Sequence, residues 1–300
     1  MRLSQDYRIF TRLNRTFKYW ALSYNPTFIF KVASMCIITF QFDPKGSHPL
    51  ILAANRDEFF CRPSKEVYVW KKNSIIAGKD LQGGGTWLGT TSSGRFAAVT
   101  NLPAYEPAFN SETLSRGKLV TSFLTSSLSP EEFVSEVSID KNKYRGFNLI
   151  CGDRQSLFYV TNARPGIKEL SPGIYSLSNE VLDNICHRSE NTEMKFSQIL
   201  NLNVTTDVLI NTMKDTNRLK NSRPLPKDYN FSQDDLTTPS QIFLEAVCIK
   251  RKGKTQHYGT VSTAALIIKK NENIMFCEDR YKRDGTIRKR SLVKIEHHEK

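Results

Sequence analysis

"MCIITFQFDPKGSHPLILAANRDEFF", residues 35–60, decides how the rest of the chain is read. Apolar side chains alternate through "MCIITFQF", a Pro/Gly turn "DPKGSH" follows, and "PLILAANRDEF" runs back, which predicts a β-hairpin. The returning strand ends in Asn55-Arg56-Asp57-Glu58, and the outgoing one begins with Cys36 directly behind Met35. Cys36 has two readings. It is an ordinary buried strand residue, or it is a nucleophile exposed as an N-terminus by loss of Met35.

Working outward, 300 residues are enough to bury a substantial core. The composition, 39% hydrophobic and 24% charged, is that of a globular chain. No apolar run is long enough to span a bilayer as a helix. The six cysteines are scattered, with no CxxC pair and no histidine at ligand spacing. That argues for reduced, intracellular thiols and against a disulfide framework or a metal site.

The net charge of +13 is uneven. Residues 1–34 carry six basic residues against the single Asp6. Along "RIFTRLNRTFKYW" (8–20), Ile9, Phe10, Leu13, Phe17 and Trp20 share one helical face, with Arg8, Arg12, Arg15 and Lys18 opposite. An Arg-rich, acid-poor amphipathic N-terminus is the pattern of a mitochondrial presequence. A start codon placed too far upstream, or a basic tail, would leave the same letters. The remaining basic excess clusters at 250–254 and 280–290 without any nucleic-acid-binding motif.

Past the hairpin, "EVYVW", "TWLGT" and "RFAAVT" read as strands, the last two joined by the turn "TSSG". Gly83-Gly84-Gly85 lacks the Gly-Lys-Ser/Thr of a phosphate loop, so it is assigned to close backbone packing or a bend before Trp87. "SRGKLVTSFLTSS" and "SPEEFVSEV" read as helices, the second with Ser129, Pro130 and Glu132 in a capping box. Strands resume in "FNLICGD", "SLFYVTNA" and "GIYSLSN". A helical stretch over about 191–215 breaks near 202–205, residues 216–238 form a polar loop, and "STAALIIKK" and "NIMFCEDRY" are late strands. This order predicts layered α+β architecture, two antiparallel sheets between helices. The expected division is a leader (1–34), one domain (35–290) and a polar tail (291–300).

An N-terminal cysteine is a self-sufficient catalyst: its thiolate attacks, and its own α-amine takes and returns the proton. Any chain still attached at Met35 turns that amine into an amide and removes the mechanism.

The motif and hairpin resemble the transport and Golgi organisation protein 2 homologue family, known for its Asn-Arg-Asp-Glu motif. Further matching stretches are "GKDLQGGGTWLG", "GRFAAVTN", "SRGKLV", "YRGFNLICGD", "YSLSN" and "HYGTVSTAALII", in order over nearly the whole chain past the leader. The match departs after "SNEVLD", where the family usually has Pro-Trp and this chain has Asn184-Ile185-Cys186.

The family is similar to N-terminal-nucleophile hydrolases, so the resemblance implies an αββα sandwich. In an enzyme of that kind it implies Cys36 as nucleophile, Arg56 to stabilise the thiolate, Asp57 to bind the α-amine, and Asn101 and Asn179 as oxyanion donors. Without the resemblance, the Asn-Arg-Asp-Glu run is a turn with surface ion pairs, and the two asparagines are strand-end turn formers.

Family members are associated with Golgi organisation, secretion, lipid homeostasis and haem mobilisation from mitochondria, which implies a non-enzymatic trafficking or cargo-handling role in cytoplasm, mitochondrion or at the Golgi. No resident cofactor or metal is expected. A transient haem cargo would offer propionates to basic residues and iron to His48, His257 or a cysteine. The alternatives are a cysteine amidohydrolase acting on a small amide and a peripheral adaptor of the secretory pathway. Neither nucleic acid nor a transmembrane segment figures among the expected partners.

Overall fold

The computed structural model describes residues 36–105, 113–184, 186–216, 242–251 and 254–296. The basic leader and nearly all of the 216–238 loop lie outside the described residues. The hairpin forms as expected: β1 (Ile37–Phe42) pairs antiparallel with β2 (Leu50–Phe59), Ile38 opposite Ala54 and Phe42 opposite Leu50.

Both strands are buried on both faces. Ile38, Phe40, Leu52 and Ala54 point to one core, while Ile37, Ile51 and Ala53 point to another. A strand covered on two sides needs an apolar run, which is why "LILAA" is continuous.

The remaining strands are β3 (Ser64–Trp70), β4 (Ile75–Asp80), β5 (Leu88–Thr91), β6 (Phe96–Asn101), β7 (Phe147–Gly152), β8 (Leu157–Thr161), β9 (Ile167–Glu169), β10 (Gly173–Leu177), β11 (Val247–Arg251), β12 (Lys254–Ile268), β13 (Ile274–Tyr281) and β14 (Ile287–Ile295). Among the described residues they form, with β1 and β2, two antiparallel sheets of seven strands each. The first runs β10-β1-β2-β12-β13-β14, with β11 on β12, and the second runs β3 to β9 in sequence order.

Helices α1 (Gly117–Thr125) and α2 (Pro130–Asp140) cover the second sheet through Leu119, Phe123, Phe133 and Val134. Helices α3 (His187–Leu200) and α4 (Thr206–Thr212) cover the first through Phe196, Leu209 and Ile210. Between the sheets lies a third core of Phe40, Leu52, Phe96, Ile150 and Leu266. The layers are therefore αββα, as expected. The capping box is present too: Ser129 accepts from the Glu132 backbone N–H while Glu132 accepts from that of Ser129.

Two expectations need correction. The third helix starts at His187, not near 191, because the Ser189 hydroxyl accepts from the Cys186 N–H and the buried Arg188 anchors the first turn. The expected polar tail at 291–300 is partly strand, since β14 runs through Ile295. β14 is an edge strand whose Val293 and Ile295 alone pack inward on the inter-sheet core, so its pattern of basic residues hides the alternation.

Candidate functional site

The inter-sheet core turns polar at one end. Across the first sheet, Ala54, Ala264 and Glu278 stand in register on β2, β12 and β13, and the next row on the same face is Arg56, Ser262 and Arg280. A bulge in β12 between Thr260 and Ser262 adjusts the pairing there. Cys36 lies at the head of β1, one step before Ile37, which pairs with Asn55. Period-2 alternation thus turns Cys36 and Arg56 into the space between the sheets and Asn55 and Asp57 toward the helices.

That space is a cavity of about 310 Å³. Its far wall comes from β4, β6 and the segment entering α1, including Gly78, Asp80, Asn101 and Arg116. The glycine run serves packing, as expected. A side chain at Gly85 would overlap the Gly117 carbonyl, and Gly84 has a φ of 76°, so this loop seats against the start of α1.

Cys36 is 7% exposed, and its thiol donates to the Asp57 carbonyl at 3.9 Å. Burial first, then the Asp57 carboxylate, push the thiol up to about 12, against the pull of Arg56. Burial thus outweighs the thiolate-stabilising role expected of Arg56.

The Arg56 side chain is 10% exposed. Its nearest carboxylate oxygens, on Glu58 at 3.6 Å and Asp80 at 3.8 Å, lie beyond hydrogen-bond length. Asp80 is committed elsewhere, to Arg62 at 2.8 Å and to the backbone N–H groups of Gln82 and Gly83. Burial alone would raise its carboxyl, but the Gly83 and Arg62 hydrogen bonds hold it below the ordinary value.

Asp57 has a different setting. Its carboxylate pairs with Arg188 of α3 at 2.7 Å and accepts from the Thr260 hydroxyl at 2.6 Å. Burial pushes this carboxyl up, opposed by Arg188 and Thr260. The α-amine role expected of Asp57 concerns the bond to Met35, which lies outside the described residues.

Asn101 lines the cavity and accepts from Arg116, whereas Asn179 stands behind it, donating from Nδ2 to the Asn101 carbonyl at 2.6 Å. Neither His48, in the β1–β2 turn, nor His257, paired with Cys248 on the β11–β12 hairpin, lines the cavity. Among the described residues no cluster of His, Cys, Asp and Glu could hold a metal, and no helix is long and apolar enough to cross a membrane.

Sequence reasoning missed Arg188, Asp80, Arg116 and Glu278. Asp80 and Arg116 sit inside "GKDLQGGGTWLG" and "SRGKLV", where nothing singled them out. Glu278 had a legible signal: it interrupts β13 at the inward parity of Phe276.

Fold and site define a four-layer αββα protein whose inter-sheet core opens into a cavity lined by a buried thiol and a buried guanidinium. The chain belongs to the Transport and Golgi organisation 2 family, which matches residues 35–283. It is 32% identical over 260 residues to the Transport and Golgi organization protein 2 homolog of Homo sapiens, covering 81% of this chain and 92% of that protein. The Drosophila melanogaster Transport and Golgi organization protein 2 is 24% identical over 82% of this chain and 92% of its own. Among solved structures, a mutant of the conjugated bile acid hydrolase from Clostridium perfringens superposes on 87% of this chain and 92% of its own, with a TM-score of 0.43 and 11% identity.

Proposed function

We propose that this protein is a non-enzymatic intracellular trafficking protein that holds a small acidic cargo in the cavity between its sheets. The observation that carries the reading is Arg56: a nearly buried guanidinium lining a cavity, with its nearest carboxylates too distant for hydrogen bonds. An incoming carboxylate or phosphate satisfies such a group with short, charge-assisted bonds. The Cys36 thiol beside it, held protonated by burial, adds bulk and a weak donor. A haem or lipid-like cargo mobilised from mitochondria would enter by its carboxylates, and haem iron would find no His48 or His257 at the cavity wall.

The second reading, a cysteine amidohydrolase acting on a small amide, is favoured by one observation: Cys36, Arg56 and Asn101 all line the one cavity, Asn101 from the wall facing the other two. Paired variants separate the two. For cargo handling, Cys36→Ser is nearly isosteric, so it keeps binding and restores a cell lacking the protein, while Arg56→Ala loses at least about tenfold in affinity and fails to restore it. Loss of function in Cys36→Ser with Arg56→Ala tolerated would overturn the cargo reading in favour of the enzyme.

A further inference from the structure

Glu278 is the buried ionisable group of the cavity that neither reading uses. It is 6% exposed and lines the cavity from β13, on the same sheet face as Arg56. Two strand spacings, about 10 Å across the sheet, and a two-residue step along it, about 7 Å, separate their backbones. Glu278 Oε2 accepts from the Val67 backbone N–H at 2.8 Å, at the irregular step in β3.

No basic side chain of the described residues stands within ion-pairing distance of it. Arg280, two residues along, turns to Ser64 at 2.9 Å and Glu66 at 3.6 Å. On the facing sheet Gly78, which also lines the cavity, sets no side chain against Glu278: a Cβ built there would lie 3.8 Å from Oε1.

A buried carboxylate without a counter-cation is costly, and a cation delivered by a ligand removes the cost. Burial raises the Glu278 carboxyl, as expected for a group lacking that cation, although Ser262, Val67, Arg280 and Arg56 oppose the shift. At the other end, Arg56 lacks a short anionic partner. The two groups have complementary deficits, on one face, across a cavity of small-molecule size.

We propose that the cavity takes a zwitterionic small molecule, its acidic group at Arg56 and its ammonium group at Glu278. This rests on the acidic-cargo reading and narrows the cargo to molecules that also carry an amine. The one-ended classes, simple carboxylates and simple amines, satisfy only one wall.

Isothermal titration calorimetry of the full chain with butyrate, butylamine and 4-aminobutyrate tests it. The wild-type protein should bind 4-aminobutyrate at least about tenfold tighter than butyrate. Glu278→Gln, whose amide oxygen still accepts from Val67, should bind 4-aminobutyrate no better than butyrate while holding butyrate within about twofold of wild type. Equal wild-type affinity for butyrate and 4-aminobutyrate, or a preference that survives Glu278→Gln, would overturn this inference. The wild-type comparison stands even where the variant folds poorly. Butyrate binding that disappears in Arg56→Ala upholds the acidic-cargo reading whatever Glu278 does. Butylamine bound more tightly than butyrate, or no binding of any probe, would overturn both.

Discussion

Asp57 and Arg188 form an ion pair at 2.7 Å in which neither side chain is more than 1% exposed. The pair ties the end of β2 to the first turn of α3 and fixes the strand that presents Arg56. Arg188 also donates to the Ile242 carbonyl at 2.7 Å, so one guanidinium fastens three parts of the chain.

Breaking that pair from one side leaves a buried charge uncompensated. Arg188→Ala or Asp57→Ala should each lose about 3–5 kcal/mol of unfolding free energy. The double variant Asp57→Ala/Arg188→Ala should lose clearly less than the two singles added together, because it strands no charge. Urea unfolding monitored by circular dichroism measures all three, and strict additivity would mean the two side chains do not interact.

Cys36 makes stability depend on alkaline pH. Its thiol ionises near 9.0 when unfolded and at about 12 when folded, so the folded state holds the proton longer. Its contribution is complete below pH 9 and drains away as pH rises toward 12. Within that window the slope is about 1.4 kcal/mol per pH unit. Cys36→Ala should flatten the fall in unfolding free energy between about pH 9 and about pH 11, leaving the parts due to the buried Cys151 and Cys277. An unchanged slope would mean the thiol is not buried as described.

The same burial governs reactivity. Exposed Cys61 should alkylate first with iodoacetamide at neutral pH, and Cys36 should lag by at least about tenfold. Peptide mapping after timed labelling reads both sites. Rapid modification of Cys36 would instead indicate an activated thiolate and favour the amidohydrolase.

The capping box at the start of α2 gives a local test. Ser129→Ala removes the acceptor for the Glu132 N–H and should cost about 1 kcal/mol, read as a lower thermal midpoint. Replacement by Asp, another good N-cap, should restore most of it.

If residues 1–34 are a presequence, fusing them to a fluorescent reporter sends it to mitochondria, and reversing Arg8, Arg12 and Arg15 to Glu releases it. A reporter that stays diffuse with the native leader would leave that segment without a targeting role.

The hairpin at 35–60, the capped helix at Ser129 and the alternation of strands and helices were readable because each rests on near neighbours in the chain. Side-chain parity, turn residues and caps act over a few positions, and the sequence states them directly. Cys36, Arg56 and Asn101 could likewise be nominated from motifs, although their meeting at one cavity depends on the second sheet folding over the first.

What only the tertiary structure decided is which charges lose their water and what they meet there. Asp57 and Arg188 lie far apart in the chain, as do Glu278 and Val67, and no local pattern pairs them. β14 escaped notice for a related reason: its backbone is held by β13, while its exposed side chains carry no apolar periodicity. Periodicity reports burial on one face, whereas the state of Cys36 depends on desolvation by every layer around it, and that exists only once both sheets and their helices have packed.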